Sequence, residues 1–138
     1  MLLTEFYGKS KIVAELDELL LKGCDRIHVD GMVGSMTAAV ASALAVKRSD
    51  RCHLLIAGSK EEAYYLLNDI ETMLDETEYD LEMKRALLFP SSYRKPRKVQ
   101  SVDKHEDFFE TDNANIMQRS EVIKQMNSGR NMLIVTYP

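Results

Sequence analysis

Asp30-Gly31-Met32-Val33-Gly34-Ser35-Met36-Thr37-Ala38 is the stretch on which the reading of this chain turns. The residues before it, Arg26 to Asp30 (R-I-H-V-D), alternate apolar and polar side chains and read as a short strand. Those after it, Ser35 to Val46, are rich in alanine and apolar on nearly every side, which predicts a helix buried between neighbours. Strand, glycine loop, buried helix is the setting in which backbone N–H groups and a helix N-terminus cradle a phosphate.

A working loop of that kind reads G-x-x-x-x-G-K-[S/T]. Counted from Gly31, the second glycine falls at Met36, the lysine at Thr37 and the metal-binding hydroxyl at Ala38. All three chemical positions are changed. The missing lysine would have supplied a charge-assisted hydrogen bond of roughly 1.5–3 kcal/mol to the phosphates. The missing hydroxyl would have held the magnesium that neutralises charge in phosphoryl transfer. Thr37 has a hydroxyl, but one helical step of about 100° is expected to turn it elsewhere. Gly31, Gly34, Ser35 and Thr37 are therefore the remnant of a degenerate phosphate loop, expected to hold no nucleotide. A tight strand-to-helix turn is the plain reading, and a residual anion site near Gly34 and Ser35 is the other.

Working towards the N-terminus, Ile12, Val13, Leu16, Leu19 and Leu20 recur at helical spacing behind Ser10, a candidate N-cap, and Gly23 closes the helix. Towards the C-terminus, Cys52 to Ala57 (C-H-L-L-I-A) is a continuous apolar run, as in a parallel strand covered on both faces. Ser59 caps a further helix with Glu61 and Glu62 in its first turn and a stripe of Ala63, Leu66, Leu67, Ile70 and Leu74. Ala86 to Phe89 is a third strand, stopped by Pro90. A helix over about Asn115 to Asn127, burying Ile116, Ile123 and Met126, leads past Gly129 to a fourth strand at Met132 to Thr136. The alternation predicts an α/β domain with a parallel sheet and helices on both faces, a single lobe over residues 1–138. The stop at Pro138, just after a strand, is read as the end of a piece of a longer protein.

The 138 residues can hide roughly two thirds of the surface they expose when unfolded, enough for one layered core. A net charge of -4 argues against a basic nucleic-acid footprint overall. Only a local cluster, Arg94, Lys95, Arg97 and Lys98 around Pro96, could meet DNA phosphates, and the acids from Asp103 to Asp112 follow it closely. Cys24 and Cys52 have no metal-ligand spacing and are expected as small buried residues in a reducing cytoplasm. No apolar run approaches the roughly 18 residues of a membrane span, so the expected compartment is cytoplasmic. His28, His53 and His105 are dispersed, and no metal is expected; His28 is expected as a hydrogen-bonded strand residue. Phe108 and Phe109 could anchor a partner or pin their own loop. No nucleophile stands at catalytic spacing from a base, so no catalytic residue is assigned.

The ordered set V-D-G-M-V-G-S-M-T-A-A, H-L-L-I-A-G-S-K-E-E-A, L-L-F-P-S-S, N-I-M-Q-R-S-E-V-I and N-M-L-I-V-T-Y-P, from about Phe6 to Pro138, resembles the N-terminal, UvrB-like part of the bacterial transcription-repair coupling factors (Mfd). The resemblance implies a P-loop, RecA-like helicase lobe whose nucleotide loop has decayed. It implies a scaffold without catalysis of its own, in a parent that uses ATP and Mg in a downstream motor and removes RNA polymerase stalled at DNA damage. UvrA, RNA polymerase and double-stranded DNA are the partners so implied, through transcription-coupled nucleotide excision repair. The family has an aromatic directly after its F-P-S turn, whereas here Ser92 precedes Tyr93, and the segment from Arg94 to Asp112 is longer than the family pattern. Two rival expectations are a small P-loop NTPase or kinase with an atypical loop, and a Rossmann dinucleotide-binding module. The latter wants an acid at the end of the second strand, where Gly58, Ser59 and Lys60 stand.

Overall fold

A computed structural model describes residues 3–91 and 105–138, the side chains of 105–112 excepted. Three parallel strands, β1 (His53–Ile56), β2 (Ala86–Phe89) and β3 (Leu133–Thr136), form a sheet in the order β1-β3-β2. Leu54 pairs with Ile134 and Leu87 pairs with the same residue from the other side, so β3 is central. The described residues also form five α-helices, α1 (Leu3–Gly8), α2 (Lys11–Leu21), α3 (Met36–Lys47), α4 (Lys60–Leu74) and α5 (His105–Asn127).

Parallel strands need crossovers, and the two here run over opposite faces. The α4 crossover from β1 to β2 buries Ala63, Ile70 and Leu74 against Ala86, Leu88, Leu133 and Val135. The α5 crossover from β2 to β3 packs Val122 on Leu87, Met132 and Ile134. The expected α/β architecture with helices on both faces is thus present.

As the sequence predicts, α3 is buried between neighbours: Ala38 belongs to the cluster under α4, while Val40 and Ala43 pack with Val13 of α2. Ser10 caps α2 as expected, accepting from the Val13 N–H, and Gly23 follows the helix at φ 77°. Where α2 meets α3, Asp17 is buried and takes hydrogen bonds from Arg48 and Lys47 at the end of α3. Burial pushes the Asp17 carboxyl up, but the Arg48 and Lys47 hydrogen bonds outweigh it and hold it below the ordinary carboxylate value. A second buried carboxylate, Glu76 at 1% exposure, fixes the start of β2. It accepts from the Arg85 N–H (2.8 Å), the Arg85 Nε (2.6 Å) and the Ala86 N–H (3.3 Å).

Several expectations are corrected. Arg26 to Asp30 is outside the sheet, and its residues are exposed or half-buried. Alternation is compatible with a strand but supplies no partner for it. The Asp30 carboxylate moreover accepts from the Gly31 N–H at 2.7 Å, a bond within the segment itself and not to a neighbouring strand. His28 is accordingly an exposed coil residue, and Cys24 and Cys52 are exposed rather than buried. The β1 strand is not covered on both faces either: Leu54 and Ile56 are 60% and 67% exposed. On α5 the sequence picks the wrong stripe, since Val122 and Gln125 face inward while Ile116, Ile123 and Met126 are exposed. The helix also begins at His105, ten residues before the expected Asn115.

Candidate functional site

Open α/β sheets bind ligands beyond the carboxyl ends of their strands, where helix N-termini converge. This chain has a cleft of about 450 Å³ in that position. One wall is the start of α3, with Gly34, Ser35 and Thr37; the other is the end of β1 and the first turns of α4, with Gly58, Glu62 and Tyr65. The degenerate loop thus does line a ligand-sized cleft, through three of its four remnant residues. Gly31 is not part of that lining. Thr37 borders this cleft and a second, apolar one beside Met32, Val40 and Leu55.

Local sequence explains each wall. Gly31 and Gly34 take φ of 76° and 56°, the left-handed region in which a Cβ is penalised. They let the chain reverse into α3 within four residues. Ser35 occupies the N-cap position at φ -77° and ψ 8°, and its side chain makes no capping bond. The Met36 N–H reaches the Val33 carbonyl at 3.2 Å and the Ala39 N–H the Ser35 carbonyl at 3.0 Å. Thr37 and Ala38 keep helix-end donors of the kind that helix geometry leaves over.

The opposite wall is closed by reciprocal capping. Ser59 Oγ accepts from the Glu62 N–H at 3.2 Å, and Glu62 Oε2 accepts from the Gly58 N–H at 3.0 Å. The Glu62 carboxylate is thereby held at the cleft. Asp69, two turns further along α4, adds a second negative charge, and Tyr65 an aromatic ring that is 76% exposed. No lysine or arginine lines the cleft among the described residues. Lys60, the nearest cation in sequence to this wall, lies over the Tyr64 ring, 5.9 Å from its centroid.

Charges of both signs meet at this cleft. The helix end presents about half a positive charge. The Glu62 and Asp69 carboxylates line the same cleft and carry the opposite sign. Among the described residues the cleft has no lysine of the kind with which a P-loop attracts phosphate. Among the described residues no group of three His, Cys, Asp or Glu side chains is placed to hold a metal ion. The basic cluster Arg94, Lys95, Arg97 and Lys98, together with the Phe108 and Phe109 side chains, lies outside the described residues. No helix among the described residues is long and apolar enough to cross a membrane.

Sequence reasoning missed Glu62 and Asp69 as cleft residues. Glu62 was legible only as a dipole-favouring residue of the first turn, and the S-x-x-E spacing from Ser59 was the signal for its placement. Comparison with family models, with curated proteins and with solved structures returns no match.

Proposed function

We propose that this chain is a non-catalytic, RecA-like scaffold lobe of a transcription-repair coupling factor. In that reading it supports recruitment of the excision-repair protein UvrA to RNA polymerase stalled at DNA damage. The observation that carries the non-catalytic part is the charge of the cleft at the end of β1. Glu62 and Asp69 line it, and no cation does so among the described residues. A phosphoryl-transfer site is built the other way, with lysine, magnesium and N–H donors converging on the phosphates. The recruitment part rests on the ordered resemblance from about Phe6 to Pro138 set out above.

The apolar side chains left bare on β1 are consistent with a lobe that packs against further protein, since patches of this kind mark interaction surfaces. ATP and Mg belong, in this reading, to a motor elsewhere in the parent, as does contact with double-stranded DNA.

Two measurements test the two parts separately. Isothermal calorimetry with millimolar Mg-ATP is expected to give no binding heat; saturable binding with turnover would reverse the non-catalytic reading in favour of a small NTPase or kinase. Pull-down of UvrA with this chain, and with a version extended through the protein that follows it, is expected to capture UvrA with the extended version. Capture by neither would remove the recruitment role while leaving the cleft argument intact.

A further inference from the structure

We draw no further inference here: the strongest candidate, the uncovered apolar face of the edge strand β1 around Leu54 and Ile56, carries none because nothing in the structure shows whether a strand, a helix or a second copy covers it.

Discussion

The Glu62 carboxylate accepts a hydrogen bond from the Gly58 N–H at 3.0 Å, and so one contact both starts a helix and charges a cleft. The same five-residue span, 58–62, holds the Ser59 cap, so the start of α4 is over-determined. Ser59→Ala is expected to lower stability by about 1 kcal/mol, the usual cost of losing a side-chain N-cap. Urea unfolding followed by circular dichroism measures it. A change within error of zero would mean that the cap carries no weight here.

Backbone conformation gives a pair of opposite predictions. Gly34 lies at φ 56° with open space where a Cβ would go, so only conformational strain opposes a side chain. Gly34→Ala should therefore cost about 1–2 kcal/mol. Asp75, the C-cap of α4, sits at φ 58° without being glycine. Asp75→Gly should stabilise, by up to about 1 kcal/mol, because glycine takes that conformation freely. Thermal melts of the two variants moving in the same direction would contradict this account.

The buried Glu76 carries more. Glu76→Ala leaves the Arg85 and Ala86 N–H groups without their acceptor at the start of β2. Each donor orphaned in a buried setting costs roughly 1–3 kcal/mol. Glu76→Gln keeps an acceptor and should recover part of the loss. Denaturant midpoints that rank the glutamine variant below the alanine variant would refute the hydrogen-bond explanation.

Asp17 predicts a pH dependence. Its folded-state pKa lies below the ordinary carboxylate value, since the Arg48 and Lys47 hydrogen bonds more than offset burial. A depressed carboxylate stabilises fully above its unfolded pKa, and that contribution disappears as the pH falls through the folded value. The melting temperature should therefore hold from neutrality to about pH 5 and drop below about pH 4. Glu18 and Asp50 are lowered as well, by Lys22 and Arg51. Those two pairs are well exposed, so salt should screen them. Asp17→Asn should flatten the acid slope; an unchanged slope would place the acid sensitivity elsewhere.

How much of this was legible depends on which force decides each element. Helices with caps and a stripe, such as α2 behind Ser10 and α4 behind Ser59, could be read directly, because capping and periodicity are local. The strand at Ala86–Phe89 was bounded correctly for the same reason, with Pro90 as its stop. Arg26 to Asp30 misled, since a strand exists only with a partner and sequence alternation does not reveal one. The α5 stripe misled differently. Gln125 is buried, its Nε2 donating to the Glu121 side chain within α5 and to the Glu82 carbonyl, while the more apolar Ile123 stays outside. A hydropathy pattern cannot anticipate a tertiary bond such as the one to Glu82. The cleft was half legible, with its glycine wall visible in the loop motif and its acidic wall recognisable only once α4 is folded beside it.

Core and edge should respond very differently to substitution. Ile70→Ala, at a fully buried site of α4, should cost about 2–5 kcal/mol. Leu54→Ser on the bare side of β1 should stay within about 0.5 kcal/mol, as surface changes usually do. Chemical denaturation of both variants checks the contrast, and a large loss at Leu54 would show that its side chain is engaged in the free chain.

The alanines of α3 have a wider effect than their size implies. Ala38 touches the cluster under the sheet and Ala43 the cluster under α2, so the helix serves as a spacer whose thickness sets the distance between two halves of the molecule. Growth of a side chain at Ala43, which is buried against Val13 and Val40, would press α2 away from α3. The methyl group at Ala43 is thus the gauge to which α2 is set on α3, and drift in sequence there would be read out as a wider gap between the two helices.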